Sequence, residues 1–209
     1  MYYGEKLNSI SHLVGAVFSF MALGSLLTVS IQIGEPMLIT AFSAYGFSLA
    51  VLYSMSTLYH SFEDVKLKKF FKLMDHISIY LFIAGSYTPF LLISLGGVSG
   101  TRLFIIVWIL AVVGILSELF LKGKAIKIGQ VVIYLAMGWT CSLDIASLKD
   151  SLPGMGFTWL LIGGLAYTFG VVFYILDKAK KLKHAHGVWH FFVLLGSITQ
   201  FISVIGYVR

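Results

Sequence analysis

Residues 184–208 read HAHGVWHFFVLLGSITQFISVIGYV. From Val188 to Val208 the run is apolar, broken only by His190, small hydroxyl residues, glycines and one glutamine. At about 1.5 Å per residue it is long enough to cross a hydrocarbon core as a helix. A helix is also what a lone span must be, because lipid offers no partner for an open backbone N–H or C=O. At the head of this run stand three of the chain's six histidines. The stretch therefore poses two questions, how many such spans there are and what the imidazoles hold.

The rest of the chain answers the first. It has 209 residues, 58% hydrophobic and 11% charged, where a soluble domain carries about 25% charged residues. The mean hydropathy is +0.92. Six more apolar segments precede the last, at 10–31, 37–60, 73–95, 103–120, 128–147 and 156–176. Gly34–Pro36, Gly96–Gly100 and Leu152–Gly156 punctuate them as turns. The second and fifth segments carry the most polar residues. The predicted fold is an all-α membrane protein, one seven-transmembrane helix bundle over residues 1–209. The first run is long and no small-residue cleavage site follows it, so it reads as a span, not a signal peptide. The single Cys141 excludes an internal disulfide.

The net charge of +6 does not point to nucleic acid. The lysines fall between apolar runs, where positive charge orients a membrane protein. Lys6, the group Lys66, Lys68, Lys69 and Lys72, the group Lys122, Lys124 and Lys127, and the group Lys178, Lys180, Lys181 and Lys183 share one side. Only Arg102, Lys149 and Arg209 lie on the other. The N-terminus is therefore cytoplasmic and the C-terminus outside.

Ionisable residues inside spans are costly and are functional candidates by default. Here they converge in depth. The second segment runs inward and ends on SMSTLYH (54–60), with Ser56 and His60 at i, i+4. The third runs outward and begins near Asp75 and His76. The seventh runs outward and begins with His186 and His190, again i, i+4 on one helix face. His60, His186 and His190 form a three-nitrogen set, the ligand count of a catalytic zinc site that keeps an open position. All-nitrogen ligation favours zinc over magnesium or calcium. Asp75 is placed to hold a water or take its proton, and Ser56 to hydrogen-bond beside it.

Each residue also has a plainer reading. Asp75 alone suits a helix N-cap; Ser56 alone suits helix packing; His60 alone suits an interface, and His184 a lipid-headgroup contact. Glu118 reads as a cavity residue or, more readily, as a partner of Lys122 at i, i+4, Asp144 as structural or interfacial, and His12 equally as a cavity or an interface residue. The shared depth of three helices favours the metal site.

These residues lie in motifs. ExxNxxSH (Glu5, Asn8, Ser11, His12), SxxxH (Ser56, His60), DHxxIYxxIAGSYTP (75–89) and HGVWHFFVLLG (186–196) together resemble the bacterial hemolysin III family. That family sits with the progestin and adipoQ receptors, which include the adiponectin receptors. The resemblance spans essentially the whole chain. It implies seven helices with a cytoplasmic N-terminus in the bacterial plasma membrane. It implies Zn2+ held by His60, His186 and His190 near the cytoplasmic face, with Asp75 and Ser56 around the zinc-bound water. Where the family pattern has a further histidine in the last span, GSITQF has Gln200. That position is about 15 Å along the helix from His190, too far to share the metal.

The resemblance, and a likeness to alkaline ceramidases, implies membrane lipids as partners and a ceramide-like acyl amide as substrate. The expected activity is hydrolysis of lipid amides, with released fatty acid altering membrane fluidity. Two alternatives stand beside it. One is a non-enzymatic membrane sensor or regulator with a structural zinc; the other, weaker, is a cytolytic hemolysin, which seven committed spans disfavour. A retinal protein is excluded, since the last span lacks the lysine a Schiff base requires.

Overall fold

The structure is a computed structural model that describes residues 4–209. Its helices are α1 (Lys6–Ile33), α2 (Pro36–Ser61), α3 (Val65–Pro89), α4 (Gly97–Phe120), α5 (Lys124–Gly138), α6 (Ile145–Ser151), α7 (Gly156–Lys178) and α8 (Ala185–Tyr207). Seven stretches are long and apolar enough to span a membrane; a π-helical Phe90–Leu95 extends α3, and α5 and α6 share one span. No β-strand occurs among the described residues.

The helix ends follow from local chemistry. Gly34 closes α1 in the left-handed conformation (φ 80°), its N–H bonded to Ser30 O at 3.0 Å. Pro36 opens α2, where a missing N–H costs nothing. The Asp64 carboxylate accepts from Lys66 N and Leu67 N at 3.0 and 2.9 Å and caps α3.

That cap corrects two expectations. The third helix begins eight residues before position 73, so Lys66, Lys68, Lys69 and Lys72 lie on its first turns and not in a loop. They remain at the cytoplasmic end. Asp75 is then well inside α3, so capping does not explain it.

The fifth span also departs from the expected single helix over 128–147. It starts at Lys124 and breaks at Thr140–Asp144, a 3-10 turn. Ser142 N turns to Trp139 O (3.0 Å), and the Thr140 and Ser142 hydroxyls bond Ala136 O and Trp139 O. Short polar side chains compete in this way with the helical ladder. The Gly138 carbonyl left over is taken by the Tyr87 hydroxyl of α3.

Neighbouring helices α1, α2 and α3 pack in sequence, α7 packs along α8, and α8 returns against α1. Two buried clusters result. One joins α1, α2 and α8 around Leu26, Phe42, Tyr45 and Tyr53; the other joins α3, α4 and α5 around Tyr80, Leu103, Val107 and Met137. Outward faces carry large apolar residues such as Val17 and Phe18 on α1, Ile109 and Val112 on α4, and Phe169 and Val172 on α7. Water would reject those faces, and hydrocarbon suits them.

Candidate metal centre

The cytoplasmic ends of α1, α2, α7 and α8 bring their polar residues together. His60 sits in the last turn of α2, His186 and His190 in the first turns of α8. One nitrogen from each lies within 4.8 Å of the others. The Nε2 atoms of His60 and His186 are 3.3 Å apart. Bonds of about 2.0–2.1 Å in a tetrahedral zinc site require nitrogens roughly 3.3–3.4 Å apart, so this pair already has the spacing of two ligands.

The opposite ring nitrogens decide the tautomers. His60 Nδ1 is 2.8 Å from Glu5 Oε2. His186 Nδ1 is 3.1 Å from Asp177 Oδ2. His190 Nδ1 is 3.2 Å from the Asn8 carbonyl and 3.1 Å from Ser11 Oγ, and Ser11 spends its own proton on the same carbonyl. Every partner is therefore an acceptor, so each Nδ1 carries the proton and donates it. Each Nε2 is left with a bare lone pair. His190 is fully buried, and its Nε2 has no hydrogen-bond partner. Imidazole nitrogens brought this close in a buried space suit a shared cation. The residues thus fit a metal ion by donor type, spacing and tautomer. Carboxylates and a carbonyl behind ligating histidines are the usual outer support of such sites.

Glu5 anchors this support. It accepts from Asn8 Nδ2 at 2.8 Å as well as from His60, and Lys68 Nζ lies 3.5 Å away. Burial pushes its carboxyl up, but the hydrogen bonds from His60 and Asn8 outweigh that and hold it below the usual carboxylate range.

Asp75, 6% exposed, lies on α3 within electrostatic reach of His60. The Ser56 hydroxyl is 2.6 Å from His12 Nδ1. All five residues singled out in the sequence are buried or half-buried at one end of the bundle. The histidines come from two helices, however, with α3 contributing only the carboxylate. His184 is exposed.

The chain's residues 2–201 match the family model described as Haemolysin-III related. The chain belongs to this family. Hemolysin-3 of Bacillus cereus is 42% identical over 98% of this chain and 91% of its own length. The Hemolysin-3 homolog of Bacillus subtilis is 40% identical over 97% of this chain and 93% of its own. The human Monocyte to macrophage differentiation factor is 31% identical over 77% of this chain and 67% of its own length, which ties the family to the adiponectin-receptor-like proteins. With its seven spans, this Haemolysin-III-related chain is an integral, multi-pass protein of the bacterial plasma membrane.

Several residues of the centre escape a reading by depth and spacing. Asp177 is one, although its place near the inner end of α7 put it level with His186. Glu5, Asn8 and Ser11 stand out only through the motif. His12 is buried, not interfacial, at 2% exposed. Glu118 bonds His76 at 2.7 Å in place of the expected Lys122. It thereby belongs to a separate α3–α4 pair with Tyr134 donating to His76 O. Asp144 accepts from Ser99 near the outer face and takes no part.

Proposed function

We propose that the chain is a zinc-dependent hydrolase of lipid amides that works at the inner leaflet. The convergence of one nitrogen each from His60, His186 and His190 at the end of the bundle that also holds the buried Asp75 carboxylate carries this reading. Zinc bound there would polarise an acyl carbonyl and supply a water of pKa near ~7.

The chain's own residues do the rest. Glu5, Asp177 and Asn8 fix the imidazole tautomers, so that no ligand must first lose a proton. Asp75 accepts the proton that hydrolysis removes from water. Ser56, whose hydroxyl lies 2.6 Å from His12 Nδ1, helps position that water. Catalytic zinc keeps three protein ligands and one open position, whereas structural zinc is usually closed by four. A site at this depth suits an acyl amide such as a ceramide arriving from the inner leaflet, with the released fatty acid altering fluidity.

The test is fatty-acid release from ceramide and simpler fatty amides by the detergent-purified protein, wild type beside Asp75→Asn. The reading requires release by the wild type and its loss in a variant that still holds zinc. Full turnover by that variant contradicts the role given to Asp75.

A second reading makes the metal a staple in a non-enzymatic membrane sensor. It is favoured by the way the cluster joins α2 to α8, with carboxylates from α1 and α7 completing the tie. It predicts that zinc removal lowers thermal stability while no lipid amide is cleaved.

A further inference from the structure

The third span is longer than a membrane requires. It runs over Val65–Leu95, 31 residues. At 1.5 Å per residue that is about 46 Å of helix, against a hydrocarbon core of about 30 Å. The charged turns lie at its cytoplasmic end, so the surplus stands there. Residues 65–72 therefore occupy the depth of the inner headgroup layer.

Lys66, Lys69, Phe70 and Leu73 follow one another at i, i+3, i+4 and i+7, so they share one face of α3. Lys66, Lys69 and Phe70 are exposed, Phe70 to 54%, and Leu73 is half-buried. The opposite face carries Phe71 and, deeper, the buried Asp75. Phe70 is held in place. Its ring meets Phe71 edge-on at 5.2 Å, and Phe71 stacks on Phe62 at 5.3 Å.

The two cations on this face are unspent. Among the described residues neither Lys66 nor Lys69 forms an ion pair, whereas Lys68 between them reaches Glu5 at 3.5 Å. Asp64 turns its carboxylate to the backbone N–H groups of Lys66 and Leu67. That leaves the exposed Glu63 as the acid in this turn that offsets the lysines.

We propose that this face of α3 binds an anionic phospholipid of the inner leaflet, with Lys66 and Lys69 on the headgroup phosphate and an acyl chain along Phe70 and Leu73. The order of the residues matches the order of such a lipid. Lys66 is outermost, Lys69 lies about 4.5 Å deeper, and Phe70 and Leu73 about 6 and 10 Å deeper. The cytoplasmic leaflet is negatively charged, and a lysine cluster beside a span is the complement of its headgroups. A free anion would use the lysines but gain nothing from an exposed phenylalanine. The site stands apart from the metal centre and does not depend on how that centre is read.

The experiment uses the full-length protein in a nonionic detergent at low salt. The probes are phosphatidylglycerol, phosphatidylcholine with the same acyl chains, and inorganic phosphate. Binding is read from the rise in thermal unfolding midpoint with probe concentration. Phosphatidylglycerol should raise the midpoint of the wild type, and the other two probes should not. Lys66→Gln and Lys69→Gln should each weaken phosphatidylglycerol binding roughly 5-fold, and the double variant roughly 10- to 30-fold. Lys181→Gln/Lys183→Gln removes equal charge from the exposed loop before α8 and should bind like the wild type.

No response of the wild type to phosphatidylglycerol overturns the proposal. So does an equal response to phosphatidylcholine, which would leave only acyl-chain contact. An equal response to inorganic phosphate makes this a plain anion site and also overturns it. Equal losses in the two double variants overturn it too, since the net charge of the face would then act in place of a site.

Discussion

His60 and His186 stand 126 residues apart in sequence and face each other Nε2 to Nε2 at 3.3 Å. Each ring turns its Nδ1 to a carboxylate, Glu5 for His60 and Asp177 for His186, which leaves Nε2 as the nitrogen placed to ligate. Nε2 atoms at this spacing suit two ligands of one cation.

The supporting carboxylates are therefore open to test. Glu5→Gln and Asp177→Asn keep size and shape but remove the charge behind each ring. Each should weaken zinc binding roughly 10- to 100-fold, measured by competition with a chelator. Unchanged affinity in both would show that Glu5 and Asp177 only hold the helices together.

Asp75→Asn separates binding from chemistry. Zinc content should stay at the wild-type level, and fatty-acid release should fall roughly 10²- to 10⁴-fold, the range that one general base contributes. Loss of the metal would instead make Asp75 a ligand.

The α3–α4 pair is a control outside the centre. His76 and Glu118 are mostly buried, with side chains 22% and 13% exposed. His76→Ala leaves Glu118 without this partner and should cost about 1–3 kcal/mol, read as a lower unfolding midpoint, with zinc content unchanged. A large drop in zinc would join the two sites.

Packing around the centre can be probed through α1. A Cβ on Gly15 would lie 2.5 Å from the Tyr53 ring, which is itself buried against His12. Gly15→Ala should cost about 1–3 kcal/mol through overpacking. Gly24, on the same helix, has nothing within 4 Å, so Gly24→Ala should be neutral or stabilise by roughly 0.5–1 kcal/mol. Equal midpoints for the two variants would contradict the close α1–α2 contact.

The architecture was legible in the sequence because a membrane allows so few solutions. An apolar run of some 20 residues has to be a helix there, and the lysines orient it. The same constraint exposed His60, His186, His190, Asp75 and Ser56, since imidazoles and carboxylates sharing one depth on separate helices have few other uses. What escaped depends on contacts between helices. The break after Gly138 needs the Tyr87 hydroxyl to take a carbonyl. Glu118 prefers a histidine one helix away to the lysine one turn away. The early start of α3 was written in Asp64, yet the charged turn after it masked the helix from a hydropathy reading. Asp177 reaches the centre only through a side-chain direction that spacing does not give, and the choice between cavity and interface for His12 needs its burial.

The central claim is that these three histidines hold a metal. Elemental analysis of detergent-purified, chelator-free protein tests it most directly, with wild type beside the double variant His186→Ala/His190→Ala. The account predicts about one zinc per wild-type chain and none in a double variant that remains folded. A folded wild type without metal, even after incubation with zinc, would contradict it.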